Sequence, residues 1–289
     1  MNADKRALSV LITGATDGLG KAAALLLAER GYRLFAAGRS AEKRAQLDAL
    51  AREKKLPLET LEMDVCDDAS VNAGVLSVLN KAGAIDVLIN NAGLVYAGAV
   101  EELRLEDWRK QFETNFFGVL RVTQAILPHM RERRKGRILM MSSVSGIVTP
   151  PTQGAYSASK HAIEAVANAM RSELYPFGIE TILIEPGYIV TNIQQTAMEL
   201  ARPYQEEIRD GPYAKIYATY WSSAKSTRAQ SKTTPEDCAR IMLEAIEAPR
   251  PKARYGVTPL ATLVKWGKRL LSDRAADRLI RRRYGIRRS

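Results

Sequence analysis

LSVLITGATDGLGKAAALLLAERG, residues 8–31, decides the fold. Residues 8–13 are a short apolar run, the pattern of a strand buried on both faces. Residues 20–31 carry Ala and Leu at helical spacing and stop at Gly31, a residue that suits a helix C-terminus. Between them stands Thr13-Gly14-Ala15-Thr16-Asp17-Gly18-Leu19-Gly20. Small residues let the backbone approach a pyrophosphate there, and the N–H groups and dipole of the next helix bind it. A glycine-rich turn alone is a weak signal. Its place between a strand and a helix points to a dinucleotide.

The same rhythm repeats along the chain. Strands are expected at 32–37, 58–65, 85–93, 136–143 and 179–187. Helices are expected at 40–55 with Ser40 as cap, around 70–82, over a long 105–130, and at 155–178. Repeated strand–helix units imply a doubly wound α/β fold with a mainly parallel, Rossmann-type sheet and helices on both faces. A chain of 289 residues with 46% hydrophobic and 26% charged residues is ordinary for a globular protein. We expect a nucleotide-binding catalytic domain over 1–255 and a basic helical extension over 256–289. Residues 188–232 break the rhythm and carry Tyr188, Tyr204, Tyr213, Tyr217, Tyr220 and Trp221. This stretch reads as a long irregular insertion forming a substrate lid. A helix resumes at Thr234-Pro235-Glu236-Asp237.

The net charge of +11 is localised: residues 250–289 hold 13 Lys and Arg against 2 Asp, while 1–249 hold 30 of each sign. The body is neutral, so the charge does not argue for nucleic acid. Within 259–284, Leu260, Leu263, Val264, Leu270, Leu271, Leu279 and Ile280 fall at roughly helical spacing among arginines, with Trp266 between. Such a basic amphipathic segment suits weak contact with an anionic membrane, a helix folded over the substrate pocket, contact with a neighbouring subunit, or a docked helix with a solvated face. Cys66 and Cys238 have no CxxC spacing and read as free thiols of a reducing cytoplasm. The start, MNADKRALSVLITG, lacks the apolar stretch of a signal peptide, and no window reads as a transmembrane span.

Ligands of doubly wound sheets sit at the carboxyl ends of the strands. The second strand ends in Gly38-Arg39, with no acid to hold a ribose 2′-hydroxyl. An arginine there accommodates a 2′-phosphate, so NADP is expected ahead of NAD. Asp17 argues mildly the other way by adding negative charge nearby. Asp64-Val65 ends the third strand and Asn90-Asn91-Ala92-Gly93 the fourth. Ser142-Ser143 ends the fifth, Tyr156 follows thirteen residues after Ser143, and Lys160 follows Tyr156 by four. On a helix, i and i+4 share a face, which sets an ammonium beside a phenol. A tyrosine titrates near ~10, and reaching about 7 needs roughly 4 kcal/mol of preference for the phenolate, supplied by a nearby Lys and a bound cationic nicotinamide. Neither His129 nor His161 is placed like a catalyst, and no HExxH or GxSxG is present.

TGATDGLG, NNAG, Asn115 in ETNFFG, SS with YSASK, and Pro186-Gly187 with Thr191 in EPGYIVTN together resemble the short-chain dehydrogenase/reductase family in its compact single-domain branch, over about residues 7–192. The resemblance implies that Tyr156 is the general acid/base and that Ser143 hydrogen-bonds the substrate oxygen. It implies that Lys160 holds the nicotinamide ribose and lowers the tyrosine's pKa, and that Asn115 supports a relay water. Gly14, Thr16, Asp17, Gly18, Leu19, Gly20, Arg39, Asp64, Val65, Asn91, Ala92 and Gly93 would line the cofactor. So would Pro186, Gly187, Ile189 and Thr191, the last two fixing the nicotinamide amide. The stretches GLVYAGAVEEL, NFFGVLRVTQAILPHM and GRILMMSSVSG look most like hydroxysteroid and retinol dehydrogenases. A bulky apolar alcohol or carbonyl is the implied substrate. The aromatic insertion agrees with that, or serves packing or subunit contact. Dimers or tetramers through the helices of Asn115 and Tyr156 are implied too. The competing reading is an NADP(H)-binding redox sensor without turnover. A nucleotide-sugar epimerase or dehydratase fits the glycine spacing less well.

Overall fold

Seven strands, β1 (Ser9–Ile12), β2 (Arg33–Gly38), β3 (Leu58–Glu62), β4 (Val87–Asn90), β5 (Gly136–Met141), β6 (Ile179–Glu185) and β7 (Arg254–Gly256), make one parallel sheet ordered β3-β2-β1-β4-β5-β6-β7 in the computed structural model. It describes residues 8–287; residues 1–7 and 288–289, the outer ends of the expected domain and extension, lie outside the described residues. Leu11 pairs in register with Phe35 on one side and Leu88 on the other. The strand order therefore reverses at β1 and β4, and a crevice forms at the carboxyl ends of that pair.

Alternation along the strands feeds two cores. Val10 and Ile12 pack with Ala23, Leu27, Met242 and Ile246 from α1 (Gly18–Glu29) and α10 (Pro235–Glu247), on a face that also carries α2 (Ala41–Glu53). Leu11 and Leu88 pack on the other face with Val75, Val122, Ile126 and Ile163. These come from α3 (Asp68–Ala82), α5 (Gly118–Glu132) and α6 (Gly154–Leu174). Each fully buried Leu or Ile contributes about 1.5–3 kcal/mol, which fixes the register of the sheet.

Three expectations change. The strands expected at 58–65 and 85–93 are shorter, ending at Glu62 and Asn90, so Asp64, Val65 and Asn91 are loop residues above the sheet edge. The single helix expected over 105–130 is α4 (Leu105–Phe112), a π-helical turn Glu113–Phe117, and then α5. The insertion 188–232 is not irregular. It holds α7 (Ile193–Leu200), a 3₁₀ turn, α8 (Gln205–Asp210) and α9 (Ala214–Gln230). Tyrosines anchor it to the body. The Tyr217 hydroxyl accepts from the Ala99 N–H and donates to Glu102, both at 2.7 Å, and that of Tyr204 bonds Asp107. Tyr213 donates to Glu101 at 2.6 Å. Beyond β7 the chain continues as α11 (Pro259–Leu270) and α12 (Asp273–Arg283).

Candidate active site

The nucleotide cradle is built by two turns stitched together. The Thr13 hydroxyl accepts from the N–H groups of Asn91 at 3.0 Å and Ala92 at 3.1 Å. In return the Asn91 amide donates to the carbonyls of Thr13 and Gly14, each at 3.0 Å. Gly14 has φ +62°, and a Cβ there would stand 2.8 Å from the Ala92 Cα. Only glycine lets the two turns close this tightly. Gly18, Leu19 and Gly20 open α1, and the first N–H groups of a helix have no intrahelical acceptor. Asp17 accepts from the Gly18 N–H, and the positively polarised helix end between two strand ends fits a pyrophosphate. Gly93 follows the same turn and faces Asn115, and Gly118 of α5 backs onto Val65.

Gly38 explains why no acid ends β2: a Cβ there would meet Thr16 Cγ2 at 2.6 Å. Arg39 beside it is exposed, with its guanidinium 3.6 Å from the Asp64 carboxylate. Asp17, suspected of opposing a phosphate, is already engaged. It caps α1 through the Gly18 N–H at 2.7 Å and accepts from Lys43 at 2.6 Å and from Asn192 at 3.0 Å. Burial pushes its carboxyl up, but the bonds from Lys43, Asn192 and Gly18 prevail and hold it below the usual range. Lys43 thus offsets the Asp17 charge, and Asn192 ties the turn to the segment after β6. Within that segment Gln194 bonds the Ile189 carbonyl at 2.9 Å and the Thr191 N–H at 3.1 Å. Pro186 accepts from the Val144 N–H at 2.9 Å, and Gly187 lies against Thr258, where a Cβ would come within 2.1 Å of the hydroxyl oxygen.

Ser143, Tyr156 and Lys160 converge beside this cradle. Ser143 follows β5, and its hydroxyl accepts from the Ser145 N–H at 3.0 Å. Tyr156 and Lys160 lie one turn apart on α6. Lys160 is buried; its Nζ donates to the Met141 carbonyl at 2.7 Å and sits 5.7 Å from the centre of the Tyr156 ring. Burial lowers the Lys160 ammonium to about 8, against a smaller upward pull from Glu164. Burial raises the Tyr156 phenol above its ordinary value, and a hydrogen bond with Ser143 pulls partly the other way. The lowering toward 7 was expected with a cationic nicotinamide bound; in the protein alone the phenol stays above its ordinary value. The ammonium lies over the ring and spends a donor on a carbonyl, so it does not meet the phenolic oxygen.

Asn115 is fully buried in the π-helical turn. Its amide accepts from the Leu94 N–H at 2.9 Å and donates to the Leu94 carbonyl at 3.0 Å and toward the Ser159 hydroxyl at 3.4 Å. The extra residue of the π turn is what turns Asn115 inward. It links the loop after β4 to α6.

The sequence reading missed several side chains here. Gln153 donates to the Tyr220 hydroxyl at 2.7 Å and accepts from Ser145 at 3.1 Å. Burial pushes Tyr220 up to about 12, with Tyr284, Tyr156 and Tyr188 within electrostatic reach. Tyr156, Tyr188, Tyr220 and Tyr284 are thus near one another at this site. His161 bonds the carbonyl of Ser157 at 2.9 Å, on its own helix. Among the described residues no group of His, Cys, Asp and Glu could hold a metal ion.

A proton donor beside a hydroxyl, next to a dinucleotide cradle, is the arrangement for coupled hydride and proton transfer. The short chain dehydrogenase family profile matches residues 8–201. An uncharacterized oxidoreductase of Bacillus subtilis, YusZ, is 40% identical over 210 residues, 71% of this chain and 74% of that protein. An NADPH-dependent 3-dehydrocapnine reductase of Ornithobacterium rhinotracheale is 33% identical over 277 residues, 93% of this chain and 94% of that one. The crystal structure of a short-chain dehydrogenase from Streptomyces avermitilis superposes with a TM-score of 0.75 at 27% identity, covering 94% of each chain. With the family profile spanning most of its length, the chain belongs to the short-chain dehydrogenases/reductases, NAD(P)-dependent oxidoreductases that interconvert alcohols and carbonyl compounds.

Proposed function

We propose that the protein interconverts a bulky apolar alcohol and its ketone or aldehyde with NADP(H), and that it is poised for reduction. The observation that carries the direction is the Tyr156 phenol, held protonated by burial beside the Ser143 hydroxyl. The relative named as an NADPH-dependent reductase supports the same direction. Gly14, Thr16, Gly18, Leu19, Gly20, Ala92 and Gly93 would hold the dinucleotide, with Asp64, Val65 and Asn91 beside its adenosine half. Pro186, Gly187, Ile189 and Thr191 would hold its nicotinamide end. NADPH when bound supplies the hydride. Ser143 and Tyr156 orient the carbonyl oxygen, and Tyr156 gives it a proton as negative charge develops. Lys160, beside the Tyr156 ring, would hold the nicotinamide ribose, and Asn115 would anchor the route by which the proton returns to Tyr156. The tyrosines around the pocket suit an apolar substrate with one polar end.

The pH dependence tests the direction. A raised Tyr156 value keeps the acid loaded across neutrality. Reduction should therefore run at constant kcat/KM from about pH 6 to 9, below the ordinary tyrosine value of ~10, and fall only above. Oxidation needs the phenolate and should climb over the same range. A reduction rate that already halves near neutral pH contradicts the assignment.

NADP preference rests on Arg39 and on the missing acid at Gly38, with Lys43 cancelling Asp17. A charge-assisted contact of about 1.5–3 kcal/mol gives roughly ten- to hundredfold preference. The ratio of kcat/KM for NADPH over NADH checks it; Arg39→Ala should bring the ratio close to one. Equal use of both cofactors by the unaltered protein sinks the idea.

Residues 188–232, with α7 to α9, would serve as a lid joined to the cofactor site through Asn192 and Gln194. Hydrogen exchange in α7 and α9 should slow when cofactor and substrate bind together; unchanged exchange leaves the segment as packing. We also propose a dimer or tetramer through α5 and α6. Phe117 supports this: it is 48% exposed and stacked edge-on against Phe116 with ring centres 5.2 Å apart. A cytoplasmic setting is supported by two free cysteines. Among the described residues no helix is long and apolar enough to cross a membrane.

A further inference from the structure

The basic extension lies beside residues of the candidate active site at both of its ends. α11 starts at Thr258, against Gly187, and packs on the turn Val144–Gly146 that follows Ser143. α12 ends at Arg283, and Tyr284, which follows it, is within electrostatic reach of Tyr220. On α11 the inward contact is made by Ala261, which is 1% exposed. Leu260, Leu263, Trp266 and Leu270, at helical spacing, form one outward stripe and are 47%, 69%, 58% and 81% exposed. Leu271 and Leu279 are exposed beyond it. An outward row of large apolar side chains next to a substrate pocket marks an interaction surface.

The charge of the extension selects its partner. Residues 259–287 hold nine Lys and Arg against two Asp. Arg278, Arg281 and Arg282 line, with Ile286, a shallow surface hollow of about 390 Å³. A second copy of this chain docked on the same patch would set like charges against each other, because a two-fold interface is self-complementary. An anionic bilayer satisfies both halves of the surface: acyl chains take the apolar stripe and headgroup phosphates meet the guanidinium groups.

We propose that α11 and α12 form a docking surface for anionic lipid bilayers that lays the rim of the substrate pocket against the membrane. The docking stands on the extension alone. The further role, handing an apolar carbonyl compound from the bilayer to Tyr156, rests on the proposed chemistry.

The test uses the full-length protein and vesicles of phosphatidylglycerol mixed with phosphatidylcholine, or of phosphatidylcholine alone, at two salt concentrations. Co-sedimentation should be strong with the anionic vesicles, weaker at high salt and absent with the neutral ones. The triple variant R278Q/R281Q/R282Q should partition about a hundredfold more weakly, as expected for removing three surface cations. Tryptophan emission should shift to the blue on anionic vesicles in the unaltered protein and not in Trp266→Phe. Leu263→Gln with Leu270→Gln should weaken binding at fixed charge. These exposed changes should leave the melting temperature unchanged, so loss of binding is separable from unfolding. Equal sedimentation with both vesicle types overturns the proposal. So does displacement by inorganic phosphate at matched ionic strength, or a Trp266 shift that tracks protein concentration without lipid. None of these readouts needs turnover, so failure of the docking and failure of the reductase reading are distinguishable.

Discussion

Tyr156→Phe is expected to lower kcat for carbonyl reduction by about a hundredfold to ten-thousandfold, the usual range for a lost general acid. The change removes one oxygen from a side chain whose ring remains packed beneath Lys160. Nucleotide affinity should hardly move, because the cradle is made by the stitched turns of Thr13, Gly14, Asn91 and Ala92. The Ser143 hydroxyl stays bonded to the Ser145 N–H, so the substrate oxygen keeps one partner and KM should change far less than kcat. Steady-state kinetics together with a cofactor titration check both halves. A variant that retains more than about a tenth of the rate, short of the usual contribution of a general acid, takes the proton-donor role away from Tyr156.

The second large effect is on stability. Arg254 on β7 forms ion pairs with Glu164 of α6 and Glu185 of β6, the latter at 2.7 Å, and bonds Asn168 at 3.0 Å. Glu185 is 1% exposed and Glu164 is 8% exposed. Burial alone disfavours the charged guanidinium, yet the two carboxylates raise Arg254 above its ordinary value. Arg254→Ala leaves two buried carboxylates facing each other. Breaking a buried pair in this way costs about 3–5 kcal/mol. Urea denaturation should show a loss of that size. Adding Glu164→Gln and Glu185→Gln to the variant should restore much of it, since neutral replacements of buried ion networks are tolerated. A loss below about 1 kcal/mol, the scale of a surface pair, contradicts the account.

The sheet was legible because its strands are short apolar runs, and a parallel sheet covered on both faces demands them. The glycine turn and the Ser143, Tyr156 and Lys160 spacing were legible because local geometry sets them: a strand–turn–helix unit in one case, a helix face in the other. What escaped depends on contacts distant in sequence. Lys43 reaches Asp17 across 26 positions, and Asn192 reaches it across 175; no spacing rule marks either. β7 has only three residues, Arg254–Gly256, and holds its place by pairing with β6. The helices of the insertion were missed because they lie on the surface with a polar composition, anchored by scattered tyrosines and not by an apolar stripe. The π turn at Asn115 inserts one extra residue into an otherwise helical pattern, a change too small for periodicity to reveal. The Gln153–Tyr220 contact likewise joins a loop to a helix 67 residues on. The lowered tyrosine pKa was expected from the Lys160 spacing together with a bound cationic nicotinamide. The direction of the Lys160 ammonium, toward the Met141 carbonyl, depends on the packed α6–β5 interface and is invisible in spacing.

Hydride transfer itself is the central claim, and isotope transfer measures it most directly. The protein is incubated with NADPH carrying deuterium at the nicotinamide C4 position and with apolar ketones or aldehydes, and the products are analysed by mass spectrometry. The account predicts an alcohol with one deuterium on its carbinol carbon, formed mole for mole with oxidised cofactor and lost in Tyr156→Phe. Tight cofactor binding with no alcohol formed across the panel, or alcohol formed without the label, would contradict it.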